Sequence, residues 1–407
     1  MKKIRLKVWC GMALLIVTGS HVSAQEALTF DHYLHKVGKQ NLEFMATCLN
    51  VKIADAEVVA AKVLPDPSLD FEAARDNYSL GLSYTLELGK RRARVQVAKS
   101  ERDMEKLALE GSFQDLRAKS AELFLDAILQ QELLRVKKES YSYMNRLSDS
   151  DSLRYRVGEI TENDARQTRL ETISLLNDVY EQEAAYHLAL VELNHFMGID
   201  TDTLLTPVGN WEHLERDFLL GQLLEAGRTS RPEILVASKN MEVHQKNYKL
   251  VRAERRPDID LSLSYERDWH HFLPQTRLAT LGVSIPLTFS NINKGALRSA
   301  KFQSEQANIG FKNVELQVLA EIRQSWFGFE AERKKVAQYR TGILDESRKV
   351  LDGMVYKYKR GEATVLDVLV SQRTYNEVCQ DYLETMKGYV SALVTLERAC
   401  GFWDIHF

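Results

Sequence analysis

Between Asp70 and Leu88 hydrophobic and polar residues alternate. Leu80, Leu82, Tyr84, Leu86 and Leu88 fall on one side, and Ser79, Gly81, Ser83, Thr85 and Glu87 on the other. A period of two predicts a strand with unlike faces. LDFEAARD alternates more weakly just before it, and Asp76-Asn77 predicts a tight turn between the two. The period then changes. Leu125, Leu129, Leu133 and Val136 recur at helical spacing, predicting a helix from Arg91 to about Arg156; at ~1.5 Å per residue it would run roughly 100 Å. After a turn at Gly158, a second helix carries the stripe Leu170, Ile173, Leu176, Tyr180, Ala184 and Val191, ending near Gly198.

The same plan follows again. Ile259, Leu261, Leu263 and Tyr265 oppose Asp260, Ser262, Ser264 and Glu266; Leu281, Val283, Ile285, Leu287 and Phe289 oppose Thr280, Gly282, Ser284 and Thr288. A long helical run leads to a turn at KRGEAT (359–364), and a last helix carries Leu366, Leu369, Val378, Tyr382, Met386, Tyr389, Leu393 and Leu396 to ERACGF at 397–402. Proline costs about 3 kcal/mol inside a helix, and the windows 68–206 and 287–407 contain none. At an offset of 203, YRVGEITEND (155–164) and YKRGEATVLD (358–367) share five of ten residues. NLEF at 41 answers RPEI at 231. These matches predict a duplicated chain: a first repeat over 25–210, with strands at about 68–88 and a helical hairpin at about 91–198, and a second over 211–407, with strands at about 257–289 and a hairpin at about 295–400. The stretch 199–230, with Pro207, Gly209, Trp211 and Gly227, predicts a small side element.

Composition narrows the class. Residues 1–24 read as a secretory signal peptide: Lys2, Lys3, Arg5 and Lys7 precede an apolar run, and Val22-Ser23-Ala24 offers small residues for cleavage. Removing them takes the formal charge from −3 to −7, which argues against nucleic acid as a partner. Cys48, Cys379 and Cys400 are too scattered for a disulfide framework. No later stretch is apolar enough for a transmembrane helix, yet four alternating strands of membrane-crossing length remain. Small barrels need about eight strands, and open sheet edges are not tolerated in lipid. A four-stranded chain must therefore complete a barrel with copies of itself. A wholly soluble α+β protein with one wet sheet face would alternate in the same way.

The duplicated plan, the NLEF and RPEI segments and the two glycine turns together resemble the outer-membrane factors of bacterial efflux and secretion systems, the TolC-type channels. LELGKRRARVQVA (86–98) and GVSIPLTFSNINKGALRSA (282–300) are most similar to the heavy-metal efflux branch. The resemblance implies a mainly α protomer with a membrane β part. It implies a homotrimer with a twelve-stranded barrel in outer-membrane lipid and a helical tunnel in the periplasm. It also implies a passive duct partnered by a periplasmic adapter (membrane fusion) protein and an inner-membrane pump of RND type, with small solutes, divalent metal cations among them, as cargo. Alternatives are a type I protein secretion duct of the same fold and a non-conducting periplasmic coiled-coil protein.

Candidate residues follow from both readings. Thr161-x-x-Asp164 and Thr364-x-x-Asp367 have capping-box spacing; by resemblance, Asp367 and Asp164 would also form an acidic constriction at a periplasmic gate. The family can carry a second acid one turn later, where this chain has Val370. Tyr155 and Tyr358 would either pack helix ends or bond across hairpins to hold the mouth shut. Gly158 and Gly361 predict left-handed helix caps. With Val157, Glu159, Arg360 and Glu362 they make up the tips on which an adapter would dock. Lys90, Arg91, Arg92 and Arg94 place cations at a helix N-terminus, against its dipole, so lipid phosphates, lumenal carboxylates or solvent must offset them. His270-His271 is a pair of adjacent histidines in a loop with no Cys nearby, a weak basis for a metal site. No Ser/His/Asp signature, phosphate loop or HExxH occurs; neither enzyme activity nor a cofactor is expected.

Overall fold

The computed structural model describes residues 28–75, 77–200, 205–209, 216–268, 277–286, 293–339 and 341–405. The signal peptide, Asp76 of the predicted turn, and His270-His271 lie outside the described residues. Two helices open the fold, α1 (Phe30–Gln40) and α2 (Leu42–Ala61). Asn41 joins them: its Oδ1 accepts from the Phe44 amide at 2.8 Å to cap α2. Strands β1 (Ser68–Ala73) and β2 (Asn77–Leu86) follow, then α3 (Lys90–Arg156) and α4 (Glu162–Phe196). The second series is α5 (Leu220–Ser230), α6 (Pro232–Ala253), β3 (Ile259–Asp268), β4 (Arg277–Ser284), α7 (Lys294–Tyr339), α8 (Ile343–Lys359) and α9 (Val365–Cys400). Pro232 opens α6 at N1, where its missing N–H costs nothing.

The strands form one antiparallel sheet in the order β1-β2-β3-β4. Register sorts the side chains into rows. Leu69, Leu82, Leu263 and Leu281 share one row; Phe71, Leu80, Tyr265 and Ala279 share the next on the same face. The opposite face carries Ser68, Ser83, Ser262 and Gly282, then Asp70, Gly81, Ser264 and Thr280. Leu69, Phe71, Leu263, Leu281 and Val283 are all more than half exposed. Among the described residues nothing covers the apolar face, and β1 and β4 each keep one unpaired edge. The β4 pairing is described to Ser284, and Pro286 just beyond has no N–H to give a ladder; Leu287, Thr288 and Phe289 of the expected strand lie outside the described residues.

The helices pack lengthwise: α3 runs against α2, α4, α6 and α9, and α9 against α7 and α8. The main core lies where these layers meet, around Phe30, Tyr33, Phe124, Phe329, Tyr389 and Leu393. Phe30 meets Phe124 edge-on at 5.6 Å, and Phe329 lies 5.3 Å from Tyr389. A second core, with Met144, Leu147, Leu175, Leu351, Val355, Tyr358, Val365 and Val368, sits near the far end of the hairpins.

Two patterns resolve differently from the sequence expectation. The helical run of the second repeat is interrupted: α7 stops at Tyr339, and α8 starts after Gly342, whose φ of +97° only glycine adopts freely. The α4 stripe expected to pack is exposed at Leu170, Ile173, Tyr180 and Val191; Thr168, Thr172, Leu175 and Val179 form the buried face instead. Among the described residues nothing covers that apolar stripe.

Candidate functional site at the helical tips

Each hairpin turns over in the same way. At the first tip the Gly158 N–H donates to the Tyr155 carbonyl at 3.0 Å and the Glu159 N–H to Arg154 at 2.9 Å. At the second, Gly361 donates to Tyr358 at 3.0 Å and Glu362 to Lys357 at 2.9 Å. Both glycines are left-handed, with φ of +81° and +75°, as this closure requires. The next helix is then started by a reciprocal capping box. The Thr364 hydroxyl accepts from the Asp367 N–H at 3.3 Å, and the Asp367 carboxylate accepts from the Thr364 amide at 2.8 Å. Thr161 and Asp164 repeat the arrangement. Hydrogen bonds from the Thr364 hydroxyl and amide hold the exposed Asp367 carboxyl below the usual carboxylate range. Val157, Gly158, Glu159, Arg360, Gly361 and Glu362 are all exposed, with Arg360 paired to Glu362 at 3.1 Å and donating to the Tyr356 hydroxyl at 2.9 Å.

The two tyrosines, alike in sequence, occupy unlike places. Tyr155 is 44% exposed, whereas Tyr358 is 4% exposed and belongs to the core between hairpins. Beneath Tyr358 lies Asp151, which the motif analysis did not single out. Asp151 is wholly buried, and neither carboxylate oxygen has a well-formed hydrogen bond. The Tyr358 and Thr168 hydroxyls adjoin it, and the Arg154 guanidinium is 3.7 Å away while covering the Tyr358 ring at 5.1 Å. Thr168 instead directs its hydroxyl to the carbonyls of Ala165 and Asp164. Burial pushes the Asp151 carboxyl upward, only partly offset by those hydroxyls and by Arg154. Burial and the nearby Asp151 push the Tyr358 phenol upward as well. The cluster thus joins α3 and α4 to α8 through one under-satisfied acid. Its signal in the sequence is positional: Ser140, Met144, Leu147 and Asp151 follow the buried stripe of α3, so a carboxylate falls where an apolar residue belongs.

At the other end of α3 the basic residues find partners within the chain. Lys90 bonds Asp258 at 2.6 Å, and Arg94 grips Glu87 through two bonds of 2.9 and 3.1 Å. Arg91 donates to the Lys62 carbonyl at 2.6 Å and Arg94 to Ala61 and Val63. Those are carbonyls at the C-terminal end of α2, where cations are favourable. Arg92 is exposed. Among the described residues no helix is long and apolar enough to cross a membrane, and no three His, Cys, Asp or Glu residues are grouped to hold a metal.

Residues 223–402 match the family model of the outer membrane efflux proteins. The cobalt-zinc-cadmium resistance protein CzcC of Cupriavidus metallidurans is 23% identical over 92% of this chain and 90% of its own. The outer membrane efflux protein BepC of Brucella suis is 25% identical over 96% of this chain and 89% of its own. Among solved structures, CusC superposes with a TM-score of 0.76 at 16% identity, covering 93% of both chains, and so shares the fold. Twin capped tips, a four-stranded open sheet and these likenesses agree: the second part of the chain matches the outer membrane efflux protein model, and the chain along most of its length is similar to proteins of that kind.

Proposed function

We propose that three copies of this chain form a passive outer-membrane duct with a gate at the helical tips, docked on a periplasmic adapter and fed by an inner-membrane pump. The observation that carries this reading is the unclosed sheet: four strands with an uncovered apolar face and free edges cannot stand alone in lipid. Three such sheets supply twelve strands, well above the barrel minimum of about eight. The flanks support association with further helices. Leu42, Met45, Leu49 and Ile53 on α2, the α4 stripe, and Phe302, Ile309 and Leu316 on α7 are exposed apolar rows awaiting neighbouring helices. Asp367 and Asp164 would ring the mouth with carboxylates, and the exposed tip residues 157–159 and 360–362 would meet the adapter. Such a duct discriminates by width and charge rather than by chemistry.

The likeness to CzcC motivates divalent metal cations as cargo. In the test, the detergent-extracted protein is sized and then reconstituted in planar bilayers. A trimer whose cation selectivity falls in Asp367→Ala supports the reading. A monomer, or conductance and selectivity unchanged in that variant, removes the trimer or the acidic gate respectively. Selective retention of zinc, cadmium or copper in a deletion strain, beside a dye and a bile salt, would assign the cargo; retention of the dye or bile salt alone would discard the metal reading.

A further inference from the structure

On the apolar face of the sheet, the row nearest the strand-connecting loops breaks the pattern. Ala73 pairs with Tyr78, Tyr78 with Arg267, and Arg267 with Arg277. By alternation these residues point the same way as Leu80, Leu82, Leu263 and Leu281. Two arginines thus stand in neighbouring register positions on a face otherwise made of aliphatic and aromatic residues. Arg277 is exposed, as is Arg75 in the turn between β1 and β2. Like charges directly across a strand pair repel, and an arginine on a lipid-facing strand is costly at the bilayer midplane but nearly free of cost at its edge.

The row lies at that edge. From Leu86–Ile259 to Tyr78–Arg267 is eight residues, roughly 27 Å along a strand and about 20 Å along the membrane normal at the usual tilt, close to the height of an outer-membrane apolar band. The opposite strand ends lead into the helices, so the arginine row is at the exterior leaflet. Guanidinium pairs bind phosphate oxygens in bidentate fashion, and a tyrosine alongside suits the headgroup boundary. We propose that Arg277, with Arg267 and Tyr78 in its row, binds the phosphate groups of outer-leaflet glycolipid; the inference rests on the barrel reading above.

The test uses the full-length oligomer, delipidated in detergent and titrated with lipid A bearing both phosphates or with the same lipid dephosphorylated, bound lipid being counted by native mass spectrometry. The wild type should prefer the phosphorylated form by about tenfold or more, the scale of one charge-assisted contact. Arg267→Gln/Arg277→Gln should lose that preference and Arg277→Lys should keep part of it, while Lys349→Gln on α8 should change nothing. Equal retention of the two lipids by the wild type, or an undiminished preference in the double variant, overturns the proposal while the barrel stands. A protein that forms no membrane-extracted oligomer instead overturns the barrel reading. Variants that misassemble are recognised by their oligomer mass, and the wild-type comparison of the two lipids then decides alone.

Discussion

Glu397, near the end of α9, is fully buried, and its one formed bond is from the Asp404 amide at 2.7 Å. Burial lifts its carboxyl to about 7, with Arg117 and Arg216 pulling the other way. The folded state therefore favours the protonated form. The associated stability is complete at pH 4, fades as pH rises through about 7, and amounts to on the order of 3 kcal/mol. Glu397→Gln should melt above the wild type at pH 8, with the gap narrowing towards pH 5 in a calorimetric series. The sign is the same for Asp151, whose carboxyl burial raises, so that the folded state favours its protonated form. Asp151→Asn should hold the bilayer conductance low across the pH range, where the wild type conducts more as pH rises above the carboxylate range. Equal pH profiles would remove the acid from the gate. Glycine is required at two other single positions. A Cβ on Gly198 would come within 2.4 Å of the Gln40 carbonyl, and one on Gly401 within 3.1 Å of the Ser230 backbone, both at positive φ. Left-handed backbone alone costs an alanine about 1–2 kcal/mol, so each Gly→Ala should lower thermal stability by at least that much.

At the scale of elements, the capping boxes govern where the return helices begin. Thr364→Ala should cost about 1 kcal/mol, read as a lower melting point, and should also release the Asp367 carboxyl towards its ordinary range. How much of this was legible depended on whether the cause was local. The strands were, because Leu80, Leu82 and Leu263 alternate with serines whatever surrounds them. The tip turns were, because a glycine followed three residues later by threonine dictates its own geometry. The role of Asp151 was not, since its burial arises from α8 packing more than two hundred residues away. Nor was the direction of the α4 stripe: hydrophobic periodicity says that a face is covered but not whether the cover belongs to the same chain. Arg91 and Arg94 were misleading in isolation, because the carbonyls that accept from them close a different helix.

For the whole molecule, the division of the sheet into two faces predicts unequal tolerance. Leu281→Arg puts a charge in the middle of the uncovered apolar face, where insertion scales assign about 2–4 kcal/mol per site; the variant should be depleted from the outer-membrane fraction. Ser264→Asp, on the opposite face, should fractionate normally. The assembly also has an asymmetry of another kind. The α3 leg is one unbroken rod of 67 residues from sheet to tip, whereas the corresponding leg of the second hairpin is jointed at Gly342. Torque applied at the tips meets two springs of different compliance. Were the tips to move as the proposed gate requires, the break between α7 and α8 at Gly342 is the place where the second hairpin would bend. In such a movement the continuous α3 rod would carry load directly to the sheet.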